Sequence, residues 1–128
     1  MAGISKGAAG EVVAARFLRE KGYTLIAGNY RTRLGEIDII ARDGDYIVFV
    51  EVKTRGEQAL YAPREAVTLQ KQQKIIRSAA LYMERFPTSL QPRFDVIEVV
   101  MHKTEPLTPL ELNHIQGAYE TGDLRAAF

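Results

Sequence analysis

Two short apolar segments that carry acidic residues in their interiors constrain the fold more than any other feature of this sequence. The first is Gly35-Glu36-Ile37-Asp38-Ile39-Ile40-Ala41, and the second is Val48-Phe49-Val50-Glu51-Val52-Lys53. β-Branched and aromatic residues dominate both segments, and Asp43-Gly44 between them is a strong signal for a two-residue turn. We therefore predict an antiparallel hairpin with strands over about 35–42 and 45–54.

The predicted register gathers the charged side chains of this hairpin on one face. A turn at Asp43-Gly44 pairs Arg42 with Asp45, which places Asp38 opposite Phe49. Side chains alternate between the two faces of a strand, so one face carries Glu36, Asp38, Glu51 and Lys53. A three-residue loop would instead put the two central carboxylates on opposite faces.

Asp38, Glu51 and Lys53 form a pattern that is typical of a metal-dependent nuclease. Carboxylates are costly to bury without a partner, and oxygen ligands of this kind suit Mg²⁺ or Mn²⁺. Such an ion activates water and polarises a phosphodiester, while Lys53 on the same face orients the water and offsets negative charge. The alternative is an ordinary surface ion pair on a half-exposed strand.

A helix predicted over residues 5–21 supplies a further carboxylate, Glu11. The apolar side of this helix carries Ala8, Glu11, Ala14, Ala15 and Leu18. Gly7 and Gly10 allow neighbouring backbone to approach. An inward-facing Glu11 needs a partner, which a metal would supply; the alternative is the acidic bias of a helix's first turn. Glu36 is either another ligand or a rim residue paired with Arg33 or Lys53.

The remaining pattern predicts one α/β domain over residues 1–128. We predict a strand over 23–30, a loop from Gly56 to Ala62, a helix over 64–85 that has Pro63 in its first turn, and a strand over 93–101. Residues 110–120 form a short element of undetermined type. The order helix, three strands, helix, strand indicates an α/β sandwich with a mixed central sheet. Asp95, near Arg93, is interpreted as a structural acid, and His102 and His114 as structural or surface residues.

Charge and composition bound the partners of the protein. The net charge is only +1, and there are no cysteines. The start of the chain lacks an apolar signal region, and no stretch reaches the ~20 apolar residues of a membrane span, so we expect a cytoplasmic protein without a membrane partner. Basic charge gathers in the middle of the chain. The candidate nucleic-acid contacts are Arg31, Arg33, Arg55, Gln70, Lys71, Lys74 and Arg77; the alternative is a solvated outer face.

Several of these segments together resemble a known family. They are Gly10-Glu11, Asn29-Tyr30-Arg31, Gly35 to Ala41, Phe49 to Arg55 and Arg93-Phe94-Asp95-Val96. The set resembles the YraN-like family of bacterial proteins, which is similar to PD-(D/E)xK nucleases and especially to archaeal-type Holliday junction resolvases. Ile37 stands where that superfamily commonly has proline.

The resemblance implies a restriction-endonuclease-like three-layer α/β/α sandwich. It assigns the metal site to Glu11, Asp38, Glu51 and Lys53, and an accessory polar role on the second helix to Gln70 and Lys74. The predicted function is a Mg²⁺- or Mn²⁺-dependent endonuclease acting on nucleic acid, with DNA favoured, including branched or repair intermediates. A symmetric homodimer would suit a branched substrate. The alternatives are a nucleic-acid-binding accessory protein that does not cut, and a scaffold that uses its acidic C-terminal segment.

Overall fold

A mixed β-sheet lies between two helices. The computed structural model describes residues 5–61, 67–105 and 107–121. Its elements are α1 (Lys6–Glu20), β1 (Thr24–Thr32), β2 (Gly35–Asp43), β3 (Tyr46–Arg55), a 3-10 helix (Glu57–Tyr61), α2 (Leu69–Arg85), β4 (Gln91–Met101) and β5 (Pro109–Tyr119). The strand order is β1-β2-β3-β4-β5, and only β3 and β4 run parallel. The described elements therefore form the predicted three-layer α/β/α sandwich, and the segment of undetermined type is the edge strand β5.

The β2–β3 turn lies one residue later than predicted, which shifts the pairing of the two strands by two residues. Asp43 pairs with Tyr46, so Gly44 and Asp45 form the loop. Gly44 has a φ of 59°, and a glycine at the first loop position is the pattern of a type II′ turn. Asp43 is held in the strand by Arg93, whose Nη1 lies 2.9 Å from its Oδ2. An even shift preserves the faces, so the wrong register still leaves the charged side chains together.

The α1 helix buries a slightly different face from the one predicted. Ser5 caps the helix by accepting a 3.1 Å hydrogen bond from the Ala8 N–H. The buried residues are Ala9, Gly10, Val13, Ala14 and Leu18. The first half of α1 is rich in alanine, so its two sides differ little in apolar character. The sequence analysis therefore did not assign Ala9 and Val13 to the buried face. Glu11 lies half-buried beside this face, one turn beyond the start of the helix, so first-turn acidic bias does not explain it.

The α2 helix begins later than predicted. Thr68 is its N-cap, with Oγ1 accepting a 3.2 Å hydrogen bond from the Lys71 N–H, so the helix starts at Leu69. Residues 62–66, including Pro63, lie outside the described residues. Leu69 is exposed, whereas Tyr82 is buried against Phe49 with 6.0 Å between ring centroids. The threonine cap at Thr68 therefore sets the start of the helix.

Candidate functional site

Asp38 lies where β2 and β3 separate. The last paired residues of that ladder are Ile39 and Val50, and Oδ2 of Asp38 accepts a 2.8 Å hydrogen bond from the Val52 N–H. Ile37 and Ile39 pack in cores on opposite sides of the sheet, so the usual alternation of faces breaks at Asp38. Asp38 is therefore accessible to residues from both helical layers.

Glu11, Glu36 and Asp38 form an acidic cluster on one side of this gap. One carboxylate oxygen from each residue lies within 4.8 Å of the other two. Asn29 links the cluster: with its amide oriented to satisfy the hydrogen-bond network, Nδ2 donates to both Glu11 oxygens at 3.2 Å and to Glu36 Oε1 at 2.8 Å. The cross-strand neighbour of Glu36 is Arg31, with Nε 4.0 Å from Oε2, rather than the predicted Arg33.

Asn29 is a site residue that the sequence analysis did not assign. Its φ of 50° is the only left-handed value among the described non-glycine residues. Asparagine tolerates this conformation better than most residues, and such strain is common at functional positions. The Gly28-Asn29 pair inside a predicted strand was the available signal, because both residue types favour irregular backbone.

Glu51 lies on the other side of Asp38 and is 5% exposed. Neither of its carboxylate oxygens accepts a well-directed hydrogen bond from the described residues. The Lys71 ammonium lies 2.5 Å from Oε1, so the carboxylate has a charged neighbour but no directed donor. Glu36, Asp38, Glu51 and Lys71 line one open cavity of about 250 Å³. The structure thus brings the two central carboxylates together, as predicted.

The crowding of carboxylates disfavours their charged forms. Burial raises the pKa of Asp38 to about 6; the Val52 N–H opposes the change, and Glu11, Glu51 and Glu36 add to it. Burial and the charge of Glu36 also raise the pKa of Glu11. A divalent cation would relieve both effects, and the donors are all hard oxygens. The Glu51 oxygens, which accept no directed hydrogen bond, add to these carboxylate ligands. The resulting set of oxygen ligands fits Mg²⁺ or Mn²⁺.

Gly10 sets the position of Glu11. A Cβ on Gly10 would lie 2.0 Å from Oγ1 of Thr54, so α1 approaches β3 more closely than any other residue would permit. The prediction of a close approach is confirmed for Gly10. It is wrong for Gly7, where a Cβ would meet nothing within 4 Å. The difference arises because Gly7 lies in the exposed first turn of α1.

Basic residues border the carboxylates. Lys53, Arg55 and Lys71 line a second open cavity of about 430 Å³ that Glu51 also borders. The exposed predicted contacts that line neither cavity are Arg31, Arg33, Gln70, Lys74 and Arg77. The β1–β2 turn, which carries Arg33, is fastened to α2 by a 2.9 Å hydrogen bond between Thr32 Oγ1 and Ser78 Oγ.

A second charged cluster, around Asp95, is structural. Asp95 is fully buried and accepts hydrogen bonds from Arg93 at 2.9 Å, His114 Nε2 at 2.8 Å and the Gly117 N–H at 3.0 Å. Burial alone would raise the pKa of Asp95, but the hydrogen bonds from His114, Arg93 and Gly117 outweigh it and lower that pKa. The structural interpretation of Asp95 and His114 is therefore confirmed.

The fold and the site together indicate the structural class of this protein. The described elements form a nuclease-like, restriction-endonuclease-type sandwich with carboxylates at the point where its central strands part. Residues 10–99 match the Uncharacterised protein family UPF0102, and the chain belongs to that family, which confirms the resemblance to YraN-like proteins. No helix of the described ranges has the length and apolar character needed to cross a membrane.

Similar proteins from three organisms cover most of the chain. A UPF0102 protein of Caldanaerobacter subterraneus subsp. tengcongensis is 45% identical over 114 residues, covering 88% of this chain and 93% of the relative. One from Symbiobacterium thermophilum is 53% identical over 94 residues, covering 73% and 80% respectively. One from Chlorobaculum tepidum is 43% identical over 120 residues, covering 91% and 93%.

Proposed function

We propose that this protein is a Mg²⁺- or Mn²⁺-dependent nuclease that hydrolyses phosphodiester bonds, with DNA as the favoured substrate. The observation that carries the proposal is Glu51, a buried carboxylate without a directed hydrogen-bond donor, which faces Asp38 across one cavity. A buried carboxylate without a directed donor is costly even beside the Lys71 ammonium, and such a group is commonly retained for function.

The acidic residues of the site would bind the cation, and their neighbours would orient them. Asp38 and Glu51 would hold the cation, with Glu11 and Glu36 as further oxygen ligands. A bound divalent ion supplies Lewis-acid polarisation of the phosphodiester and a more acidic water. The Val52 N–H fixes the Asp38 carboxylate, and the Asn29 amide holds Glu11 beside Glu36.

Lys53 and its basic neighbours would handle the negative charge of the substrate. Lys53 and Arg55 border the cavity next to Glu51, where Lys53 can orient the attacking water and stabilise charge on the phosphorus oxygens. Phosphate contacts from lysine and arginine supply most of the sequence-independent affinity for nucleic acid. The likeness to junction resolvases further suggests branched or repair intermediates as substrates. It also suggests a homodimer as the active form.

One observation favours a second candidate, an accessory protein that binds nucleic acid without cutting it. The ammonium of Lys71 already lies against Glu51, so this chain provides its own cation for the buried carboxylate. In that case the fold would serve to display the basic residues, and no divalent ion would be required.

A cleavage panel separates the two candidates. Single-stranded, duplex, flap and four-way junction DNA, together with RNA, are incubated with Mg²⁺ or Mn²⁺. We expect the wild type to cut at least one substrate and both Glu51→Ala and Asp38→Ala to lose about 10²-fold or more. The control is Glu84→Ala, which removes an exposed carboxylate from α2. Equal cleavage by the site variants would overturn the assignment, and binding without cleavage would favour the accessory protein.

A further inference from the structure

Lys71 and Glu51 make an asymmetric ion pair. The Glu51 side chain is 4% exposed and the Lys71 side chain 58% exposed, with Nζ 2.5 Å from Oε1. The buried partner is fixed by the strand, whereas most of the lysine side chain lies in solvent and can rotate away. The pair can therefore open by the movement of one side chain.

Within Leu69–Arg85, the helix itself offers the Lys71 ammonium no favourable electrostatic interaction in its first turn. Lys71 lies in the first turn of α2, which contains no acidic residue, and a cation in a first turn opposes the helix dipole. Its backbone N–H is occupied by the Thr68 cap, but this bond does not restrain the ammonium. Among the described residues, Glu51 is thus the acidic group that holds the Lys71 side chain inward.

The ion pair also separates two cavities. Glu51 and Lys71 both line the cavity that contains Asp38 and the cavity that contains Lys53 and Arg55. Rotation of Lys71 toward solvent would remove the partition between the carboxylates and the basic side chains. It would leave the Glu51 oxygens open to another cation.

We propose that Lys71 is an exchangeable cation, paired with Glu51 until a divalent ion binds and then turned to a phosphate oxygen of the nucleic acid. This inference rests on the proposed function. Lys71 keeps a buried carboxylate neutralised in the metal-free protein and couples metal binding to substrate binding.

The first test is the affinity for Mn²⁺ alone, measured by isothermal titration calorimetry on the full chain. Lys71→Met removes the internal competitor, so we expect Mn²⁺ to bind about threefold to tenfold more tightly. Lys71→Arg keeps a competing cation and should stay within about twofold of the wild type. Arg85→Met removes an exposed charge at the opposite end of α2 and should likewise leave Mn²⁺ affinity within about twofold.

The second test measures coupling by the fluorescence anisotropy of labelled DNA with and without Ca²⁺, an ion with the same preference for oxygen ligands. The Ca²⁺ ratio is the DNA affinity with Ca²⁺ divided by the affinity without it, and it should be larger for the wild type than for Lys71→Met. A lysine with a purely structural role would leave this ratio unchanged. Unchanged Mn²⁺ affinity and an unchanged Ca²⁺ ratio in Lys71→Met would overturn the exchange while leaving the nuclease proposal intact. A wild type that binds no Mn²⁺ would overturn the metal site itself and this inference with it.

Discussion

Gly10 of α1 packs against Thr54 of β3 so closely that a Cβ at position 10 would stand 2.0 Å from the threonine Oγ1 and 3.0 Å from its Cβ. This contact holds the first helix against the end of β3, next to Lys53. Glu11 is the following residue, and its carboxylate meets Asp38 and Glu36. One missing methyl group therefore decides whether a helical carboxylate reaches the strand carboxylates.

We expect Gly10→Ala to destabilise the protein by about 1–3 kcal/mol, the usual range for overpacking, although alanine favours helix. Urea unfolding provides the measurement. Gly7→Ala is the matched control in the same helix; it meets open space and should leave stability unchanged or raise it slightly. Thr54→Ala should partly rescue Gly10→Ala, and an absence of coupling in this double-mutant cycle would refute the contact.

Asp38→Asn should stabilise the metal-free protein at neutral pH. The folded-state pKa of Asp38 is raised from 3.8 to about 6, chiefly by burial, so its favourable contribution is complete below about pH 4 and is lost as pH rises through 6. Allowing for solvent around this partly exposed carboxylate, the ionised form costs about 1–2 kcal/mol at pH 7.5.

The measurement is the melting temperature in EDTA across pH 4 to 8. The advantage of Asp38→Asn should be smallest near pH 4 and largest above pH 6, where we expect a rise of roughly 3–8 °C. Asp45→Asn, in the exposed β2–β3 turn, is the control and should follow the wild type. A wild type as stable as Asp38→Asn at pH 7.5 would contradict the cost of ionising the buried Asp38 carboxylate.

Asn29→Gly should weaken Mn²⁺ binding by about tenfold, the lower end for residues that orient metal ligands. Glycine accepts a φ of 50° without strain, so the backbone is preserved while the donor to Glu11 and Glu36 is lost. Calorimetry with Mn²⁺ measures the affinity, and thermal melting checks that the fold is retained. If Asn29→Gly binds Mn²⁺ as the wild type does, the amide does not organise the ligands.

Asp95→Asn should destabilise the fold by about 2–4 kcal/mol at pH 7, because it removes the charge that pairs with Arg93 and weakens the hydrogen bond from His114. The lowered pKa of Asp95 means that this stability is present above about pH 4 and lost as pH falls through the folded-state value. Denaturant unfolding at several pH values tests this. Mn²⁺ affinity should be unchanged, and a loss of Mn²⁺ binding with the fold intact would contradict a purely structural role.

The prediction of the hairpin succeeded for a physical reason that also limits it. The β-branched run at Ile39 and Ile40 and the Asp43-Gly44 turn signal are local, so the sequence alone indicated the strands and the charged residues within them. The turn was misplaced because Asp43 is held in its strand by Arg93, a contact between residues far apart in the chain. The resulting error of two residues in the strand register left the predicted faces unchanged, because side chains along a strand alternate with a period of two.

The sequence by itself determined the layered α/β architecture and the presence of Asp38, Glu51 and Lys53 in apolar strands, since periodicity and turn chemistry act over a few residues. Only the tertiary structure decided that Asn29 joins Glu11 to Glu36 and that Lys71 covers Glu51. Each of those contacts joins different elements of the fold. Their geometry depends on how closely the helices pack on the sheet, which no local pattern specifies.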